Sequence, residues 1–350
     1  MKSNYDILGN HIRLIDTRNT DSVTDRVLGI NIDKFFMPSV ANVIGTDLSK
    51  YKLITKSKFA CNPMHVGRDE RLPVALYEED EPAIVSPAYF MFEIIDDNVL
   101  DENYLMMWFR RPEFDRNCWL HTDGSVRGGI TWDDICRLEL PVPAIEEQRE
   151  IVRSYKAITE RISIKRQIND NLEAMLTAVF IDEFSAKETA EHSKLSELIS
   201  FGNGKSRPKT DGTIPVYGGN GVLSYTDQHN IENAILIGRV GAYCGSVYLE
   251  QGICWVSDNA IYAKSKVSKD EFFDYFLLKG LNLFNHHVGT GQQLLTQEIL
   301  NNIEVAKPDI AQVEAFNQKA KAVFETISAN KNEIARLQEL SDLLLSRLAG

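Results

Sequence analysis

The sequence predicts an α+β protein built as an internal repeat: two homologous mixed α/β domains, each followed by a long coiled-coil helix. Three observations carry this. The stretch from Gly124 through Pro143 to Phe184 recurs without a gap from Gly289 through Pro308 to Gly350. One offset superposes the copies: Thr131 on Thr296 (296 − 131 = 165), Ile145 on Ile310, Ile162 on Ile327 and Leu172 on Leu337. Both copies end in apolar residues at alternating three-four spacing, and both are preceded by short β-branched and aromatic runs bounded by turn residues. A repeat of this length decides the architecture before any local reading does.

The bulk numbers agree. A chain of 350 residues has room for two to three domains, and 43% apolar with 25% charged residues is ordinary for a soluble globular protein. No apolar run approaches the ~20 residues of a membrane span, and the first residues lack a signal-peptide core. A cytoplasmic protein without membrane association is expected. Five scattered cysteines, with no Cys-x-x-Cys pair, read as reduced thiols rather than a disulfide framework or a zinc site. The net charge of −12 argues against nucleic-acid binding through a broadly basic surface. Locally the balance differs: Lys50 to Arg68 and Leu198 to Thr210 hold cations and no acid.

In chain order, residues 1–143 form the first domain. Val27–Ile32, Tyr51–Ile54, Ala83–Val85 and Tyr89–Ile95 read as strands. Asn103–Phe109 is apolar nearly all round and reads as a buried helix. Leu138–Pro143 is a short strand that its prolines end. Residues 144–190 then contain neither Pro nor Gly, which permits one long helix, with Glu146 and Glu147 in its first turn where the dipole favours them. Its seam is Ile151, Tyr155, Ile158, Ile162, Leu172, Leu176 and Val179. Residues 191–307 are the second domain, rich in glycine and tyrosine, with an apolar helix from Phe272. Leu8 and Leu195 mark equivalent starts (195 − 8 = 187), so the second domain is about 22 residues shorter. Residues 308–350 are the second helix, with Phe316, Val323, Ile327, Ile334, Leu337, Leu344 and Leu348 on the seam. Lys165 and its repeat equivalent Asn330 interrupt the two seams near mid-helix. A polar seam residue lowers stability but fixes register; a solvated gap in an imperfect stripe is the competing reading.

This order resembles the specificity subunits of type I restriction-modification systems. Leu138-Glu-Leu-Pro-Val-Pro-Ala-Ile-Glu-Glu-Gln-Arg149 is similar to that family's junction of recognition domain and spacer helix. Ile214-Pro-Val-Tyr-Gly-Gly-Asn-Gly221 with Ala234-Ile-Leu-Ile-Gly-Arg239 is similar to the core of its target-recognition domains. The second junction, Lys307-Pro-Asp-Ile-Ala-Gln312, keeps only the skeleton of the first. The resemblance implies two target-recognition domains separated by two antiparallel spacer helices with pseudo-two-fold symmetry. It implies that each domain reads half of a bipartite double-stranded DNA sequence and that the chain itself has no catalytic site and no cofactor. Two methyltransferase subunits are implied as partners, using S-adenosylmethionine for adenine N6 methylation; a translocating nuclease subunit is a further partner in such systems. A 38-residue helix would rise roughly 57 Å, ample against the ~34 Å between half-sites one duplex turn apart.

Base edges and phosphates are held by Arg, Lys, amides, hydroxyls and exposed backbone N–H groups. The first-domain candidates are Lys52, Lys56, Lys58, Asn62, His65, Arg68, Arg71 and Arg127. In the second domain they are Lys205, Arg207, Lys209, Tyr217, Asn220, Tyr225, Arg239, Tyr243, Gln292 and Gln293. Tyr217 and Tyr243 read equally as core aromatics, and Arg239, in an apolar run between glycines, equally as a buried structural arginine. Glu146, Glu147, Gln148 and Arg149 are exposed-turn candidates for the methyltransferase interface.

Catalytic readings fail on spacing. Gly204-Lys205-Ser206 ends like a phosphate-binding loop, but Ile199 stands where the first glycine is required. Asn62-Pro63-Met64-His65 lacks the aromatic that would stack a flipped adenine. His286 and His287 are adjacent, not four apart as a helical metal pair requires. The alternatives to a DNA-reading scaffold are a stand-alone DNA-modifying enzyme, or a coiled-coil interaction protein that never meets DNA, on the same duplicated frame.

Overall fold

A computed structural model describes residues 4–64, 66–122, 128–184, 191–289 and 291–348. The chain divides into two compact units, Met1–Ile164 with Glu333–Gly350, and Lys165–Asn332. Each unit holds one globular domain together with half of each long helix. The first long helix spans Ile145–Phe184 and the second Ile310–Arg347. Both begin just past a proline, Pro143 and Pro308. Asp309 caps the second, its carboxylate accepting from Ala311 N at 2.7 Å and Gln312 N at 3.3 Å.

The first domain folds into two four-stranded sheets. One runs Ile12–Ile15, Phe90–Ile94, Lys58–Cys61, Val74–Tyr77. The other runs Phe36–Pro38, Val27–Ile30, Ala83–Val85, Lys52–Ile54, with Val27–Ile30 parallel to Ala83–Val85. The second domain has one six-stranded sheet: Ile199–Asn203, Ala260–Ser265, Ile231–Gly238, Val247–Val256, Ile214–Gly218, Gly221–Thr226. These are the same six strands. In the first domain two of them are interrupted, Lys52–Ile54 from Lys58–Cys61 and Val74–Tyr77 from Ala83–Val85. In the second their counterparts run on, with a bulge at Glu232/Ala234 and Asn233 at φ 49°. The matching parallel contact is Val216–Tyr217 against Trp255–Val256. Much of the length difference is one loop, 39–51 in the first domain against 227–230 in the second.

The frame of each domain repeats bond for bond. Tyr5–Ile7 pairs antiparallel with Glu139–Pro141, and His192–Lys194 with Glu304–Ala306. Leu8 N donates to Leu138 O at 2.8 Å, and Leu195 N to Ile303 O at 2.9 Å. Thr131 and Thr296 each cap a short helix, their hydroxyls accepting at 3.2 Å from Asp134 N and Ile299 N.

Each domain also buries a helix against the spacer. Glu102–Phe109 carries Tyr104, Leu105, Met106, Met107, Trp108 and Phe109 in the interior, where the rings of Phe109, Phe59, Phe92 and Phe114 pack at 4.9–6.1 Å. Phe272–Gly280 does the same against Phe180, Phe184 and Phe316, at 4.8–5.9 Å. Of the seam residues, Tyr155, Ile162, Leu176, Phe316, Ile327 and Leu348 are buried. Ile151, Ile158, Leu172, Val179, Val323, Ile334, Leu337 and Leu344 are half-buried. Val152 and Tyr155 join the first core with Leu348; Leu176, Val313, Phe316 and Ala320 join the second. Within each unit the helices are antiparallel: Arg161 pairs with Glu333 in one, Lys165 with Asn330 and Glu183 with Lys319 in the other.

Gln148 is a correction. Read as an exposed partner contact, it is fully buried. Its amide donates to Val99 O and Pro143 O at 2.8 Å and accepts from Asp101 N at 2.9 Å, so it ties the spacer to the start of the buried helix. In the second domain Asn317 does this work, accepting from Phe273 N at 2.7 Å and donating to Ser268 and Asp270 O. The two amides are not repeat equivalents, since Val313 stands where Gln148 would fall. Gln148→Ala leaves buried N–H and C=O groups unpaired. It should cost on the order of 2–4 kcal/mol, read by denaturant unfolding; a loss below about 0.5 kcal/mol would mean that water replaces the amide.

Candidate nucleic-acid interface

In the second domain the loops that carry the candidates are knitted into one cluster. Lys205 N donates to Val256 O at 2.9 Å and Gly204 N to Ala260 O at 3.2 Å. Arg239 N donates to Asn259 O at 3.0 Å, and Arg239 O accepts from Leu295 N at 2.9 Å. Gly241 N reaches Gln293 O at 3.1 Å. Ser246 donates its hydroxyl to Gly219 O at 2.5 Å. So Lys205, Asn220, Arg239, Tyr243, Gln292 and Gln293 stand on neighbouring loops. Two glycines permit the approach. A Cβ on Gly204 would lie 1.9 Å from Ser257 O, and one on Gly238 2.1 Å from Tyr243 O.

The side chains there face outward. Lys205, Arg207, Lys209, Asn220, Tyr225, Tyr243 and Gln292 are exposed, while Gln293 and Arg239 are half-buried. Among the described residues no carboxylate pairs with Lys205, Arg207, Lys209 or Arg239. The Arg239 Nε is buried without a hydrogen-bond partner. It is neither fully enclosed nor ion-paired, as a structural arginine would be. Tyr217 is a correction: it is buried, and its hydroxyl donates to Glu250 at 2.9 Å. Burial and the neighbouring carboxylate push its phenol pKa up. It packs 6.4 Å from Tyr248 as a core aromatic.

The first domain differs. Lys52 is buried; its ammonium donates to Tyr89 O at 2.7 Å and faces Asp16 at 3.4 Å. Lys58 is ion-paired with Glu93, which Arg13 shares. Lys58 and then Arg13 hold that carboxyl below the usual range. Both lysines are engaged within the fold, a correction to their reading as DNA contacts. Lys56 pairs with Asp80 at 2.6 Å, Arg68 chelates Asp69 at 2.6 and 2.9 Å, and Arg71 meets Asp33 at 3.2 Å. Asn62 is half-buried, its side-chain oxygen accepting from Met64 N at 3.1 Å. His65 and Arg127 lie outside the described residues.

The loop from Asn62 to Arg71 nevertheless occupies the place of 239–246. Ile130 N donates to Pro63 O at 3.1 Å, as Leu295 N does to Arg239 O. Asp258 and Asn259, adjacent in sequence without a second carboxylate to suggest acid chemistry, are exposed within the second cluster. One group of residues was not singled out by sequence. Arg110, Arg116 and Trp119 line an open cleft of about 800 Å³ with Arg71 and Asp33. Arg116 and Trp119 lie on the helix Pro112–Leu120, which buries Phe114 and Cys118, and Arg110 caps the end of the preceding helix. At the spacer start Glu146, Glu147 and Arg149 are exposed.

Residues 187–342 match the family model of the type I restriction modification DNA specificity domain. A Methanocaldococcus jannaschii protein named for the specificity subunit of the MjaX type I restriction enzyme is 21% identical over 99% of this chain and 88% of its own length. The EcoprrI specificity subunit of Escherichia coli is 24% identical over 41% of this chain and 36% of its own. The crystal structure of a type I system S subunit from M. genitalium superposes with a TM-score of 0.61 at 17% identity, covering 98% of this chain and 95% of that one. The matched region is the second repeat, and the first repeat has the same strand order and the same frame of hydrogen bonds. Residues 187–342 thus match a type I specificity domain, and over nearly its whole length the chain is similar to specificity subunits of type I restriction-modification systems.

Proposed function

We propose that the chain reads a bipartite double-stranded DNA target, one half per domain, and presents it to methyltransferase subunits. The observation that carries this is the duplicated domain whose loops, in the second copy, bring unpaired cations and free amides onto one knitted cluster. Amides and arginine forks read base edges; lysines and exposed backbone N–H groups hold phosphates. The repeat supports a pair of methyltransferase copies, because like surfaces recur on the two halves of the chain. On this reading S-adenosylmethionine is bound by those partners, the reaction is adenine N6 methylation, and a translocating nuclease subunit joins the same complex. The exposed residues Glu146, Glu147 and Arg149 remain candidates for that contact; Gln148 does not. No helix among the described residues is long and apolar enough to cross a membrane.

Exchanging residues 195–307 for the equivalent domain of another specificity subunit should change one half of the methylated sequence and leave the other half as it was. An unchanged methylation pattern in the complex would refute reading by this domain. Methyl transfer to duplex DNA by the isolated chain would refute the division of labour.

A further inference from the structure

The two domains use their cations differently. In the second, Arg239 is held at its backbone on both sides, by Asn259 O and Leu295 N, and its buried Nε has no acceptor among the described residues. Lys205, Arg207 and Lys209 stand on a neighbouring loop, exposed and without a carboxylate partner among the described residues. The acids nearby are not partners of these cations: Asp227 accepts from Thr210 at 2.6 Å, and Asp211 and Asp258 are exposed, with no ion pair to them among the described residues. In the first domain the position matching Arg239 is Pro63, which carries no charge. There Lys56, Lys58, Arg68 and Arg71 each meet a carboxylate of their own domain, and the cleft that holds the exposed Arg110 and Arg116 is also lined by Asp33, Asp69, Glu70 and Asp115.

A cation that neutralises a phosphate releases condensed counterions, so it adds to the salt dependence of binding. A cation already paired in the free protein must first give up its carboxylate, which returns most of that gain. We propose that the chain's electrostatic grip on duplex DNA is one-sided. Arg239 with Lys205, Arg207 and Lys209 holds the phosphate backbone through the second domain. The first domain engages its half-site with little net counterion release from its own paired cations. The proposal rests on the DNA-reading function above and says which half of the chain anchors the duplex.

The test uses the full chain and a mixed-sequence duplex, with affinity measured by fluorescence anisotropy between 50 and 200 mM salt. Each phosphate contact contributes about 0.9 to the slope of log affinity against log salt. The variant Lys205→Gln/Arg207→Gln/Lys209→Gln/Arg239→Gln should lower that slope by about 3 to 4. The first-domain variant Lys56→Gln/Arg68→Gln/Arg71→Gln, which leaves Lys58 on Glu93, should lower it by less than about 1. Circular dichroism melts verify that both variants fold. Equal losses, or a larger loss from the first-domain set, overturn the proposal while leaving DNA reading intact. A wild-type chain that binds no duplex at all overturns the DNA-reading function and the proposal with it.

Discussion

Asp274→Asn should stabilise the second domain at pH 8, by on the order of 2–4 kcal/mol, and by clearly less at pH 5. Asp274 lies in the first turn of the helix Phe272–Gly280, 1% exposed, and one carboxylate oxygen has no hydrogen-bond partner. Burial pushes its pKa up from 3.8 to about 7, and the neighbouring Glu271 adds to this, against a hydrogen bond from Ser265. The folded protein therefore holds a proton that the unfolded chain has already lost between about pH 4 and pH 7. Stability falls as pH rises through that window and levels off above it, where the buried group is charged at full cost. Asparagine keeps the shape and removes the charge. Glu271 is raised in the same direction by burial, so the variant retains a shallower slope of its own. Denaturant unfolding at the two pH values decides the matter. An equal change at both, or a loss at pH 8, would show that the carboxylate finds solvent or a cation when ionised.

The repeat was legible because it is written in residues that do local work. Thr131 and Thr296 are helix caps, Pro143 and Pro308 stop strands, and the seam residues recur at helical spacing. Each has a mechanism that needs no knowledge of the partner segment, and the structure places each copy in the same role. Strand pairing was not legible in this way. Val27–Ile30 lies beside Ala83–Val85, and a run of Val and Ile does not say which distant run it will meet. The candidate site failed for a related reason. Lys52 and Lys205 look alike in sequence. What separates them is whether a carboxylate or carbonyl arrives from elsewhere in the fold, as Asp16 and Tyr89 do for Lys52. Gln148 shows the same blindness from the other side. A polar residue in an acidic first turn reads as solvated unless one knows that Val99 O and Asp101 N lack other partners. Arg239 was left open between reader and structural arginine; it is half-buried, with its Nε buried and without a hydrogen-bond partner.

Asn330→Ala should destabilise the helix pair of the second unit by about 2–3 kcal/mol, while leucine at Lys165, Asn169 and Asn330 together should recover that loss. Asn330 accepts from Lys165 Nζ at 2.9 Å and donates to Asn169 at 2.8 Å. Both asparagines are 9% exposed, so the trio lies in the interface and not on its surface. The seams' pairing of Lys165 with Asn330 was readable from the repeat; Asn169, one turn along, completes it. Truncating the shared member leaves an amide with a lost partner in an apolar setting. Replacing all three removes every such group and adds apolar contact, so stability returns. What does not return is discrimination among registers, because uniform leucine pairs as well one step along. Crosslinking with a short, flexible bis-maleimide reads this directly. The side-chain tips of Glu183 and Lys319 meet at 2.5 Å, so Glu183→Cys with Lys319→Cys should be bridged in either background. Glu183→Cys with Ala322→Cys should be bridged only when the trio is leucine. If the shifted pair stays unbridged in the leucine background, register is set by the globular domains alone, and the polar trio contributes stability without specificity.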